Sequence, residues 1–419
     1  MDVTVSTLAN GLRVVSDPMI GLESVAIGVW VNAGARAESA EENGVAHMLE
    51  HMAFKGTERR TARAIAEEIE AVGGHLNAYT SREHTAYFAR VLKRDVPLAV
   101  DLLADILQHS AFEESELERE RGVVLQEIGQ TEDTPDDLIF DRLQEAAYPG
   151  QSLGRSILGT SELVTAMDRG RLTGFMARHY GAQSMTLVGS GAIEHAALMA
   201  LAERHFGALG RGAERPMEAA RFTGGATCEE RELEQVHFAI AWPGVRYHDD
   251  DFYASQVLAT TLGGGMSSRL FQEVREKRGL CYSVFAFATS YVDAGMLGIY
   301  AGTGEQEVGE LVPVVLDETQ RLAVDAEEAE VARARAQISA GLLMSLESPS
   351  ARSEQLARQL LIFGRPIPPD ELVAKIDQVD AAAVRRVAAR ITGAGRPAVA
   401  AVGPLARLAS YEAIAARFA

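Results

Sequence analysis

His47, Glu50 and His51 stand together in His-Met-Leu-Glu-His, a spacing that suits a metal ion. The surrounding VAHMLEHMAF is apolar at helical spacing, and Asn43 ahead of Gly44 offers an N-cap, which predicts a helix across the motif. At about 100° per residue His47 and His51 fall one turn apart on a single face, and two neutral imidazoles so placed form a pincer for zinc. Glu50 sits on the flank of that face, offset from the ligand row and placed to take a proton from a metal-bound water. Chance yields roughly 0.02 copies of this pattern at such a composition. A buried histidine pair flanking a glutamate would otherwise be hard to satisfy. His75, His109, His195 and His205 lack comparable neighbours and read as ordinary surface or core residues.

Two histidines leave zinc short of the three protein ligands of a catalytic site. The predicted helix 115–132 offers Glu120 and Glu127, seven residues apart and therefore on nearly one face. One would bind the metal while the other orients a ligand histidine through its free ring N–H. Spacing alone also reads Glu116, Glu118 and Glu120 as a solvated acidic face, so the assignment stays open on this ground.

The elements that must position these residues come in two sets. Val25 to Gly34 (VAIGVWVNAG) alternates as a strand does, and Val236 to Gly244 (VHFAIAWPG) repeats its shape with Trp30 matching Trp242. Leu76 to Leu92 and Cys281 to Tyr300 both read as paired strands, followed by amphipathic helices over 95–107 and 305–322. Met185 to Gly189 and Ala398 to Gly403 are strands that introduce helices over 193–206 and 405–418. All three matches are offset by about half the chain, which argues for one unit present twice. Residues 211–225 have linker composition, so domains are expected at 1–210 and 226–419, with the helix-rich region 113–144 in the first. Each is an α+β unit, a mainly antiparallel sheet packed with helices. In the second half Leu258 to Leu262 stands where the histidines stand in the first, so that copy binds no such metal. Its Gly263–Gly265 run lacks the Lys-Ser/Thr of a phosphate cradle and reads as a mobile loop or a packing turn.

The chain has 419 residues, 47% apolar and 24% charged, which is globular composition. Its 40 Lys and Arg against 59 Asp and Glu, a net charge of −19, disfavour nucleic acid, whose phosphates require cations. Two cysteines, Cys228 and Cys281, exclude a disulfide scaffold. No leader and no spanning run is visible, so the expected location is cytoplasmic.

With a glutamate following the second histidine in Glu118-Arg-Glu-Arg-Gly-Val-Val-Leu-Gln-Glu-Ile, the motif resembles the pitrilysin-type (inverzincin) zinc metallopeptidases. More narrowly, it is similar to bacterial homologues of the mitochondrial processing peptidase catalytic (beta) subunit. Asn10-Gly-Leu-Arg, Leu76-Asn-Ala-Tyr-Thr-Ser-Arg-Glu-His-Thr and Leu153-Gly-Arg-Ser-Ile-Leu-Gly extend the likeness over essentially the whole chain. The resemblance implies one zinc ion per chain on His47, His51 and Glu127, Glu50 as general base, and Glu120 as the carboxylate behind a ligand. It also implies that Asn77 lies by an edge strand that pairs with substrate backbone. Tyr282 would donate to the substrate carbonyl or its oxyanion, and Arg275 would bind substrate. The implied activity is that of a zinc metalloendopeptidase on unfolded peptides or presequence-like segments, Arg-containing ones among them. The implied setting is half of a peptide-enclosing chamber, in a homodimer or a heterodimer with a related chain. A noncatalytic structural or partner subunit and a general oligopeptide-degrading peptidase are the alternatives.

Overall fold

The computed structural model describes residues 2–213 and 217–418, so residues 214–216 of the expected linker lie outside the described residues. The first half runs β1 (Thr4–Thr7), β2 (Arg13–Pro18), β3 (Ser24–Val31), α1 (Val45–Ala53), β4 (His75–Thr80), β5 (Thr85–Leu92), α2 (Val96–Gln108), α3 (Glu114–Glu132), α4 (Pro135–Ala147) and β6 (Met185–Gly191). The second runs β7 (Gly225–Glu230), β8 (Val236–Pro243), α5 (Phe252–Gly263), β9 (Cys281–Ser290), β10 (Gly295–Thr303), α6 (Val308–Asp325), α7 (Pro349–Phe363) and β11 (Ala398–Gly403).

The strands form one sheet in the order β1-β2-β6-β3-β5-β4 and another in the order β7-β11-β8-β10-β9. Apart from β1, the two orders are the same when each strand is replaced by its repeat partner. Pairing is antiparallel except for β2 with β6 and β7 with β11. This is the α+β architecture expected from the repeat. The central strands β6 and β11 are buried along their whole length rather than on alternate residues, as strands covered on both faces are.

What covers those faces does not follow the sequence halves. One compact unit comprises Met1–Gly129, Arg155–Glu218 and Met344–Pro368, and the other comprises Gln130–Gly154, Ala219–Leu343 and Pro369–Ala419. In the first unit α1 and α2 fill one side of the sheet with Val45, Met48, Leu49, Met52, Leu102 and Leu103. The other side, Val15, Trp30, Ala86 and Val188, is covered by Leu356, Ala357 and Leu360 of α7. Arg352 of α7 fixes that placement through a bidentate pair with buried Asp17, at 2.5 and 2.8 Å. In the second unit α4 does the reciprocal service, packing Leu138, Ile139 and Leu143 with Ala239, Ala241, Ala400 and Val402. Region 113–144 therefore does not belong to the first half as a block, because the apolar stripe of α4 completes the second sheet.

The terminal helix is also shorter than the sequence suggests. Leu405 and Leu408 pack on the core without helical structure. The helix starts only where the Ser410 hydroxyl accepts from Ala413 N, and it covers Tyr411–Ala415 before a closing 3-10 turn.

Candidate metal centre

Helix α1 is a core helix: Val45, Ala46, Met48, Leu49, Met52 and Ala53 are buried. Its N-cap is Gly44 rather than the expected Asn43, since the chain enters the helix through a left-handed residue at φ 94°. A Cβ on Gly44 would also lie 2.8 Å from the Leu158 carbonyl oxygen. Asn43 turns away and donates to Glu38 and to Ser156 O, each at 2.9 Å. Capping falls to the Glu38 carboxylate, which accepts from Gly44 N at 2.9 Å and Ala46 N at 2.8 Å.

The helix presents His47 and His51 side by side, with ring centroids 4.7 Å apart. Helix α3 brings Glu127 to them: its Oε2 lies 3.5 Å from His47 Nε2 and 3.5 Å from His51 Nε2. These separations are too long for hydrogen bonds. They match the edge of a ligand tetrahedron, about 3.3 Å for bonds of 2.0–2.1 Å to zinc. Ligand atoms of the three residues all lie within 4.8 Å of one another, the one such metal-competent group among the described residues. Two imidazole nitrogens and a carboxylate oxygen are a donor set that takes zinc.

Glu120 and Glu127 separate by burial. Glu120 lies on the stripe Leu117, Val124 and Ile128 that packs inward, and His51 Nδ1 donates to its Oε2 at 3.0 Å. That bond leaves His51 Nε2 free as a donor of its lone pair. Lys55 Nζ holds the other Glu120 oxygen at 2.7 Å. Glu116 and Glu118 form the solvated face and pair with Arg119 and Arg121. His47 has no equivalent support: among the described residues nothing hydrogen-bonds its buried Nδ1. Burial, and then the charge of His51, pushes the His47 ring down to about 4, so it is neutral and able to ligate near pH 7.

Glu50 is half-buried on the same helix. Burial raises its carboxyl above the ordinary range, against the opposing pull of Thr80. A carboxylate with raised basicity beside a metal position is suited to proton transfer. Thr80 closes β4, the edge strand of its sheet, and Asn77 is exposed on that strand with its Oδ1 turned back to Ala78 N at 2.9 Å.

Arg275 and Tyr282 belong to the second unit. A single π-helical turn, Phe271–Glu276, presents Arg275, whose guanidinium sits 4.7 Å from the Phe271 ring and 4.6 Å from the Tyr282 ring. Tyr282 is 77% exposed at the start of β9. The two side chains are thus in contact. Phe271 is a third member that sequence reading passed over, although its spacing four residues before Arg275 on a helical turn was available. Lys55 was likewise missed, although it follows His51 at the same spacing. Glu38 and Thr80 carry no local signal.

Residues 13–161 match the family described as Insulinase (Peptidase family M16), and residues 166–338 match the Peptidase M16 inactive domain. An uncharacterized zinc protease of Rickettsia bellii is 39% identical over 401 residues, 96% of this chain and 97% of that protein. The chain belongs to peptidase family M16. Among other M16 relatives, a probable mitochondrial-processing peptidase subunit beta of Arabidopsis thaliana is 40% identical over 426 residues, 98% of this chain and 80% of its own. The mouse mitochondrial-processing peptidase subunit beta is 39% identical, over 99% and 87%. A chain of the Candida albicans complex III2 structure with Inz-5 bound shares the M16 fold with a TM-score of 0.87 at 21% identity, covering 99% of both chains. The match to an inactive domain agrees with α5, where the position of the histidine pair is filled by core residues, Leu258 and Leu262 among them. No helix among the described residues is long and apolar enough to cross a membrane.

Proposed function

We propose that this chain is a zinc-dependent endopeptidase that cleaves unfolded peptides or presequence-like segments, with Glu50 as general base. The observation that carries this reading is the approach of Glu127 Oε2 to within 3.5 Å of both His47 Nε2 and His51 Nε2, with half-buried Glu50 on the same helix as the histidines. Zinc held there supplies a Lewis acid that polarises the scissile carbonyl and acidifies water. Glu50 takes the proton of the attacking water and passes it to the leaving amine nitrogen. Glu120, with Lys55 behind it, keeps the His51 proton on Nδ1. Substrate backbone adds to the edge of β4 near Asn77, Tyr282 donates to the substrate carbonyl or its oxyanion, and Arg275 binds substrate.

Relatives named as beta subunits support work alongside a second, related chain, and a homodimer is the alternative arrangement. The acid excess favours Arg-containing peptides. Metal content and cleavage of a random peptide mixture, before and after chelation and zinc return, test the reading. Zinc-dependent cleavage is the expected result. Bound zinc without cleavage of any peptide would instead favour a noncatalytic partner subunit, and absence of bound metal would remove the reading altogether. Cleavage of every unfolded peptide without regard to sequence would indicate general degradation.

A further inference from the structure

The two histidines are not held alike. His51 is fixed from outside by Glu120, and through it by Lys55. Among the described residues His47 has no such partner on its Nδ1, so its placement depends on packing and on the backbone beneath it. That backbone is gripped one residue earlier, where Ala46 N donates to Glu38 Oε1 at 2.8 Å.

Glu38 is 4% exposed. Its other oxygen accepts from Gly44 N and from Asn43 Nδ2, both at 2.9 Å. Asn43 Nδ2 also donates to Ser156 O, and Arg155 Nη2 donates to the Glu38 carbonyl at 2.6 Å. Two glycines allow the backbones to touch, since a Cβ on Gly159 would lie 2.6 Å from Asn43 O and one on Gly44 would lie 2.8 Å from Leu158 O. The Leu153–Gly159 motif, for which the hydrolytic steps have no use, thus closes with Glu38 into a collar around the first turn of α1. Burial pushes the Glu38 carboxyl up to about 7, against the pull of these donors and of Arg155. A solvent-exposed cap would avoid that disadvantage.

We propose that Glu38 is a positioning residue for the metal centre, which acts through the Ala46 and Gly44 N–H groups to set the placement of His47 relative to His51 and Glu127. The proposal rests on the zinc reading of that site. Sites of this kind tolerate only about 0.5 Å and 10–20° of displacement. A small rotation of the first turn therefore matters more for His47 than for His51, which Glu120 restrains.

The test is Glu38→Gln in the full chain, where an amide NH2 would confront N–H donors. Equilibrium affinity for zinc should weaken about tenfold or more, as when outer partners of metal ligands are lost. The visible absorption of the cobalt-loaded protein should change shape while the far-ultraviolet circular dichroism is retained, and kcat should fall with KM little changed. Parental affinity together with a parental cobalt spectrum would overturn the proposal, whatever happens to the melting temperature. If Glu38→Gln does not fold, Asn43→Ala removes one donor and is read the same way. A shift of about threefold in affinity is then expected from loss of the hydrogen bond to Glu38, and unchanged affinity and spectrum overturn the idea. Metal affinity is measured without peptide. A parent protein that binds zinc tightly but cleaves nothing would end the peptidase reading and leave this one standing or falling on its own result.

Discussion

At the scale of the residue, the decisive property is protonation. Glu50→Gln keeps the volume and removes the base, so peptide cleavage should fall at least about 100-fold while zinc per chain stays at the parental value. Undiminished cleavage would exclude Glu50 as the base. One buried histidine, His47, and one partly buried histidine, His84, have a wider effect. Burial first, and then the charge of His51 for His47 and of Arg358 for His84, pushes both rings down to about 4. Unfolded, each would protonate near 6.5, so between these values the unfolded chain binds more protons than the folded one. Stability of the metal-free protein should then fall as pH drops from 6.5 towards 4, by up to about 1.4 kcal/mol per pH unit for each ring. His84→Gln removes one ring, and melting temperature against pH should flatten across that window; an unchanged slope would assign the effect elsewhere. The histidine pair and Glu50 were legible in the sequence because their geometry is set within one helical turn. The choice between Glu120 and Glu127 needed the fold. The stripe Leu117, Glu120, Val124, Ile128 faces inward in the structure, and that burial decides which carboxylate is enclosed. Lys55, Thr80 and Glu38 act across loops, and no short pattern announces them.

At the scale of the element, the Gly263–Gly265 run shows what local reading leaves undecided. Gly263 ends α5, and a Cβ there would lie 2.4 Å from Ala286 N in β9; one on Gly264 would lie 2.6 Å from the Thr260 Cα. These contacts make it a packing turn. Gly263→Ala should therefore destabilise the protein by about 1–3 kcal/mol, seen as a lower melting temperature, with KM of the folded fraction unaffected. A parental melting temperature with a raised KM would point to a substrate-recruiting loop instead. Strand and helix positions were legible wherever periodicity was long, as in β3, β5, α2 and α3. Ends were less so, because they depend on single caps: Gly44 displaces Asn43, and Ser410 delays the last helix.

At the scale of the whole molecule, duplication was legible from three ordered matches, but the exchange of α4 and α7 was not. An apolar stripe on a helix says that it will be buried and does not say against which sheet. Residues 1–210 made alone should aggregate, since Trp30 and Val188 would lie uncovered and Leu138 and Ile139 would have no sheet. Co-expression with 211–419 should restore solubility, as measured by size-exclusion chromatography. A soluble, monomeric 1–210 fragment would contradict this. The same exchange bears on synthesis. A ribosome finishes β6 at Gly191, yet the helix that covers its sheet ends only at Phe363. At about 5–20 residues per second the sheet waits roughly 9–35 s for its cover. Nascent chains stalled before Pro349 should accordingly be retained by a holdase chaperone, and full-length released chains should not. If both behave alike, the sheet finds temporary shelter elsewhere in the growing chain.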